Sequence, residues 1–569
     1  MRITRIRLVG TVAAGLLALS ACGGGGGSSR SGGTQPPPPP PPPPPPTISE
    51  VQAARFLTQA SFSPTRAEIA RVRSLGYEGW IDEQLDPART PITLMRPHLE
   101  QVVANGLPQG DLTQQHRRNA WLWFAATKSD QLRMRMAFAL SEIMVVSDQG
   151  SNQAELLRMA DYQDTLARNA FGSYRTLIEA VSLHPAMGTF LSHAGNRKAS
   201  TDGKIVPDEN YGREVMQLFS IGLYKRHQDF SPVLENGAQV PTYDQGVISA
   251  MARVFTGWTY AGQADAQYGR SNKTSFAPME CHRTFHDDQP KTIFNGIVIH
   301  NGSDCVADLA AALDALGNHA NTAPFISRQL IQRFVTSNPS PGYIQRVATA
   351  WTGNNGNLGK VLKAILLDSE ARTAPAQNDA SYGKPREPLL RIAQFWRAYE
   401  AKYVPPTDGG LRFRAGATSD LTRVIAQDSL RSPSVFNFFE PDYRIPMAGG
   451  GEGVFAPELQ IVNESTFTTG HNQTDALLWS YASTSAPTAN TRAPILDISR
   501  LVQLADGNDH AGMVQDVNLL LYGGGMSATT SASLVRMLDR LRTAGRDSSE
   551  RARSLLLLAL VSPDYAIQR

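Results

Sequence analysis

Cysteine is scarce, with three in 569 residues: Cys22, Cys281 and Cys305. A framework of several disulfides is excluded by that count alone. An excess of charge is also missing, Lys+Arg 54 standing against Asp+Glu 51. The balance argues against nucleic acid or another polyanion as partner. The nearest basic run, His116–Arg118, reads as a solvated helix face. Beyond residue 22 no segment approaches the roughly 18 uninterrupted apolar residues of a membrane helix. There is no G-x-S-x-G elbow, no H-E-x-x-H and no Walker loop, and the glycine triplet at 449–451 lacks a phosphate loop's lysine. These absences leave the reaction, if there is one, unassigned.

The first 46 residues carry the most specific signal. Arg2, Arg5 and Arg7 precede the apolar run "LVGTVAAGLLALSAC", which has the length of a signal peptide rather than of a membrane span. The run ends in Leu19-Ser20-Ala21-Cys22, which resembles the lipobox of bacterial lipoproteins. That resemblance implies cleavage before Cys22 and acylation of it, several acyl chains holding a domain where one would not. Gly23, in place of the aspartate found at this position in other such lipoproteins, implies the outer membrane as the address. A Gly/Ser stretch and eleven prolines, Pro36–Pro46, follow. Polyproline at about 3.1 Å per residue makes a stiff spacer of roughly 34 Å. The expected organisation is a signal peptide over 1–21, a tether over 22–46 and a body over 47–569, with a candidate subdivision near 480–495. In an oxidising envelope Cys281 and Cys305, 24 positions apart, are expected to form a disulfide.

From Thr47 onward apolar residues recur at spacings of three and four, while period-two runs are scarce. Leu166, Ala170, Phe171, Tyr174, Leu177, Ile178 and Val181 form one such stripe. Val247, Met251, Val254 and Phe255 form another ahead of Gly257, a plausible C-cap. "TIFNGIVIHNG" is the best short hairpin. The class is mainly α: a large multi-helix body with long loops and at most a short β-hairpin.

In "VPDENYGREVMQLFSIGLY", Asp208 sits where an N-cap belongs, ahead of a buried stripe of Tyr211, Val215, Leu218 and Phe219. Arg213, Glu214 and Gln217 then turn off that stripe, and Glu209 can pair with Arg213 four residues on. This stretch, "VFTGWTY", "HPAMGTFL", "HDDQPKTIFNG", "APFISRQLIQRFVTS", "KPREPLL", "PSVFNFFEPDY" and the closing "LLLLALVSPDYAIQR" resemble, in order, a large bacterial family catalogued only as domain of unknown function 1800. The resemblance extends from about residue 50 to the C-terminus. It implies secreted or surface proteins, mainly helical, with no established reaction. It also suggests a secreted partner of sulfatase or phosphatase-like fold. One departure stands out: other family members carry a Trp-His-Asn-His-like run where this chain reads "FALSEIMVVS", so Leu140 and Glu142 replace the histidines. A metal role resting on that pair does not transfer.

The densest cluster of chemistry-bearing residues is "CHRTFHDDQPKTIFNG" at 281–296. His286 could serve as general acid or base if a carboxylate orients it, Asp287, Asp288 or Glu214 from another helix. Catalytic candidates are therefore His286, Asp287, Glu214 and Arg213. Metal candidates are His286, Asp287 and Glu209, a divalent metal being the one cofactor they would suit. On paper Cys281, His282, His286, His300 and Cys305 also make a zinc set, and hydrogen bonding of His286 and Asp287 to the loop backbone is the plain structural reading. The function expected is a lipid-anchored binding or scaffold module for a secreted partner or an envelope polymer. A metal-assisted envelope hydrolase is the alternative, and a sugar-binding surface, on Trp258, Tyr260 and Phe436–Phe439, is the third.

Overall fold

Short polar side chains open helix after helix. Ser49 caps Glu50–Ala60 in a reciprocal capping box with Gln52, Asp244 caps Gln245–Val254, Asp304 caps Cys305–Gly317 and Asn357 caps Leu358–Leu367. Each accepts a backbone N–H that the first helical turn leaves without a partner. These elements are seen in a computed structural model, which describes residues 48–272, 276–302, 304–373, 382–404, 421–446, 453–488 and 494–569. The tether, Cys22 and the glycine triplet at 449–451 lie outside the described residues.

The fold is mainly α. Strands among the described residues are two residues long and pair only in twos, antiparallel except for Ala482–Ser483 with Leu496–Asp497. The expected hairpin is present, Lys291–Thr292 pairing with Val298–Ile299. Helices pack against one another in pairs, such as Thr322–Phe334 on Pro341–Gly353 and Asn210–Gln217 on Gln245–Val254. One continuous apolar core runs from Ala53 to Tyr565. The last helices are tied into it: Ile567–Gln568 pairs with Lys384–Pro385, and Gln568 Nε2 donates to Phe334 O at 2.8 Å. The strand pair at 482–483 and 496–497 brackets the candidate subdivision, whose centre, 489–493, is not among the described residues.

The apolar stripe from Leu166 to Val181 proves to be two helices, Leu156–Asn169 and Tyr174–Ser182. The break falls at Gly172-Ser173, where the backbone is diverted into bonds with a distant loop: Leu358 N to Gly172 O at 2.8 Å and Tyr174 N to Gly356 O at 3.0 Å. Periodicity cannot register a tertiary competitor for the same carbonyls.

Cys281 and Cys305 are disulfide-bonded, with Cα atoms 6.0 Å apart. The bond staples the 258–281 strand pair to the first turn of Cys305–Gly317. Closing a loop of 24 residues is worth about 3 kcal/mol in the chain-entropy picture. Replacing both cysteines by serine is expected to lower the denaturation midpoint accordingly. Identical urea curves for the two proteins would show that the staple adds nothing.

Candidate functional site

His286 is fully buried, and both ring nitrogens face oxygen: Nδ1 lies 2.7 Å from Thr256 O and Nε2 lies 3.0 Å from Asp308 Oδ2. The same carboxylate oxygen takes Lys291 Nζ at 2.7 Å, and its other oxygen accepts Asn301 Nδ2 at 2.9 Å. Burial alone would raise the Asp308 carboxyl, but the bonds from His286, Lys291 and Asn301 outweigh it and hold the group below its ordinary range. Gly257 makes the packing feasible. Its φ of +84° suits glycine, and a Cβ there would lie 2.8 Å from His286 Cβ. His286 thus has neither exposure nor a free nitrogen with which to meet a substrate.

Asp287 does not orient His286. Its backbone N–H donates to Thr256 Oγ1 at 2.9 Å and its Oδ1 accepts Gln289 N at 3.0 Å. Asp288 is exposed and pairs with Gln289. Glu209 is surface-bound to Arg213 at 2.9 Å, as the spacing suggests, and accepts Ser249 Oγ at 2.7 Å; that hydroxyl first, against the cost of burial, keeps it below its usual range. Glu214 turns inward rather than outward, and burial raises its carboxyl. The described residues show no hydrogen bond or ion pair joining Glu209, Arg213 or Glu214 to His286. His282 pairs with Asp265 at 2.6 Å and His300 is exposed. No group of three or more metal-ligating side chains comes together among the described residues.

A different set of residues converges. A cleft of about 420 Å³ is lined by Gln217, Arg226, Phe230, Phe325, Gln329, Arg333, Phe436, Asn437 and, at its floor, Glu142. Helix ends build it. Glu142 is the C-cap residue of Gln131–Ser141, and Gln329 and Arg333 lie on Thr322–Phe334. Gln217 ends Asn210–Gln217. Gly222, at φ +69°, lets the Phe325 ring lie where a Cβ would clash at 2.7 Å.

Behind Glu142 stands Glu387, completely buried at the N-terminus of Pro388–Ala398. Gln427 Nε2 donates to both carboxyl groups, at 3.3 Å to Glu142 Oε1 and 2.8 Å to Glu387 Oε2. Two adjacent buried carboxyls cannot both ionise. Burial first, then the charge of Glu387, pushes Glu142 well above the carboxylate range. For Glu387 burial acts the same way but is outweighed by Lys384 and Arg135, so it stays ionised. The helix dipoles agree with this split, since a carboxylate is favoured at a helix N-terminus and disfavoured at a C-terminus. Glu142 therefore presents a neutral acid to the cleft.

Four lining side chains keep polar atoms without a hydrogen-bond partner among the described residues: Glu142 Oε2, Gln329 Nε2, Arg333 Nε and Asn437 Nδ2. Their residues are only 4%, 5%, 4% and 6% exposed. Arg333 Nε faces Glu142 Oε2 at 3.5 Å, within ion-pair distance but without a hydrogen bond. Asn437 holds a left-handed backbone, φ +67°, of the strained kind that gathers at functional sites. Aromatic candidates divide: Trp258, Tyr260 and Phe439 are buried, and Phe436, 47% exposed, stands at the cleft.

Sequence reasoning missed this site although its parts were in view. Glu142 is the lone charge in "FALSEIMVVS", and Glu387 and Arg333 sit inside "KPREPLL" and "APFISRQLIQRFVTS". A charged residue embedded in an apolar stripe was the available signal.

Together these features define a large, mainly α protein with a buried, Gln427-bridged carboxyl pair, one member of which lines an amide- and aromatic-walled cleft. The chain belongs to the family described as protein of unknown function (DUF1800), whose family model matches residues 55–567. No curated protein and no solved structure matches it.

Proposed function

We propose that the protein is an envelope lipoprotein, acylated at Cys22 and directed to the outer membrane, whose cleft binds an envelope polymer. The observation that carries the binding role is the cleft itself. The Gln329 and Asn437 amides keep N–H groups without a hydrogen-bond partner, at about 1–3 kcal/mol each, and Glu142 and Arg333 meet only at 3.5 Å, shortfalls that a bound ligand would relieve. No helix among the described residues is long and apolar enough to cross a membrane, so attachment rests on the lipobox. A secreted partner of sulfatase or phosphatase-like fold is the competing occupant.

Two measurements test this reading. Mass spectrometry of the protein from cells should find acyl mass on Cys22, and Cys22→Ser should move the protein to the soluble fraction. A photo-crosslinking residue at position 436 should trap polymer in intact cells, while one at exposed Phe467 should not. Unmodified Cys22 removes the anchor, and equal labelling from both positions removes the binding site. A metal-assisted hydrolase built on His286 finds less support, because that ring is bonded at both nitrogens.

A further inference from the structure

We infer that the cleft recognises a glycan through uncharged sugar rings, with Phe436 and Phe325 as stacking surfaces and Glu142, Gln329, Arg333 and Asn437 as hydroxyl-binding groups. The inference rests on the cleft being the binding site proposed above, and it names the ligand class.

The mixture of unbonded atoms carries the argument. Amide and guanidinium N–H groups of Gln329, Asn437 and Arg333 are donors, while Glu142 Oε2 belongs to a carboxyl group. Neighbouring sugar hydroxyls each donate and accept, so one short run of them satisfies such a mixed set. A hydrocarbon ligand would leave these groups unpaired at full desolvation cost. An anionic ligand would meet Glu440 and Asp442 along the lining, the latter already paired with Arg328 at 2.8 Å. A cationic peptide would meet Arg226 and Arg333.

The aromatic content points the same way. Phe230, Phe325 and Phe436 all belong to the lining, and Phe230 and Phe325 stand 6.5 Å apart at an interplanar angle of 32°. Arg226 and Arg328 cover Phe230 at 4.9 and 4.7 Å, which leaves Phe325 and the half-exposed Phe436 as ring surfaces for a ligand. The C–H face of a pyranose packs on such rings while its equatorial hydroxyls reach past them. Volume also fits, since about 420 Å³ lies within the usual range of small-ligand clefts.

A proton on Glu142, kept there by burial and by Glu387, makes its carboxyl both donor and acceptor. Glutamine, equally neutral, reproduces most of this, so the Glu142→Gln variant is informative.

The test uses full-length protein in detergent on an array of neutral and acidic oligosaccharides, with affinities then measured calorimetrically. We expect binding to at least one neutral oligosaccharide. Phe436→Ala and Gln329→Ala should each weaken it roughly tenfold, the equivalent of one lost contact. Glu142→Ala should weaken it by a similar factor and Glu142→Gln should recover most of that loss, and Trp479→Ala, exposed and outside the cleft lining, should change nothing. Circular dichroism of each variant separates a lost contact from a lost fold. The glycan reading is overturned if no neutral oligosaccharide binds, or if binding survives Phe436→Ala and Gln329→Ala combined. Failure of the two readings is distinguishable: a position-436 crosslink to protein or to a non-glycan polymer ends the sugar assignment and leaves the cleft in use, whereas no cleft-specific crosslink ends both.

Discussion

Asp308→Ala is expected to destabilise the protein by on the order of 3–5 kcal/mol. Its carboxylate is the shared acceptor for His286, Lys291 and Asn301, all within 3.0 Å. Asp308, Lys291 and His286 are each fully buried. Removing the acceptor leaves the ammonium group with the carbonyls of Asp287 and Gln289, at 2.6 and 3.0 Å, and with the Asp287 carboxylate only at 3.8 Å. An uncompensated buried charge costs far more than the pair gains when intact. Lys291→Met alone should also destabilise, by leaving the carboxylate short of its cation. The double variant Asp308→Leu/Lys291→Met should then lose much less than the sum of the two single changes, because it strands no charge. Urea denaturation of the three variants measures this, and strictly additive losses would show that the cluster is not one electrostatic unit. A loss of that size without any change in oligosaccharide affinity would also separate this scaffold cluster from the cleft.

The second large effect is acid sensitivity. His193 is buried, its Nε2 sits 2.7 Å from Ser182 O and its ring stacks on Tyr211 at 3.9 Å. Burial lowers its pKa from 6.5 to about 4. His98 and His319 are lowered to about 4 as well, again by burial first, with Lys128 and Lys225 respectively adding to it. Below pH 6.5 the unfolded chain takes up protons at these sites that the folded chain refuses until about pH 4. Stability is therefore complete above 6.5 and falls as the pH drops through that window. Asp164 and Asp428, raised to about 6 chiefly by burial, act in the opposite sense between 3.8 and 6 and offset part of the loss. For His193 alone the shift amounts to roughly 3 kcal/mol between the ends of the window. Melting temperature against pH should thus fall more steeply for the wild type than for His193→Phe, which keeps the stacking but cannot titrate. The phenylalanine variant also leaves Ser182 O without that donor, a loss independent of pH, so the slope and not the absolute midpoint is the readout. Equal slopes would remove His193 as a source of acid lability.

How far the sequence was legible depends on the range of the interaction involved. The helix of Gln245–Val254 could be placed because its apolar stripe, Val247, Met251 and Val254, lies within one short segment. The Glu209–Arg213 pair followed from a four-residue spacing, and the Cys281–Cys305 bond from having only two candidates downstream of Cys22. The cluster at 281–296 drew attention by density, yet the partner of His286 is Asp308, 22 positions away on the next helix. The cleft was harder still. Glu142 and Glu387 are separated by 245 residues and meet only because two helix ends are packed together with Gln427 bridging them.

Amino-acid order by itself determined the helical class, the apolar stripes, the disulfide and the family, since each depends on near-neighbour spacing or residue count, whereas the helix expected to be capped by Asp208 starts at Asn210 behind Glu209, without a side-chain cap bond. Tertiary structure alone decided that His286 is a sealed scaffold residue and that Glu142 keeps its proton at a cleft floor. The physical reason is that desolvation and charge–charge coupling act through space, and neither is set until distant segments exclude water from the same volume.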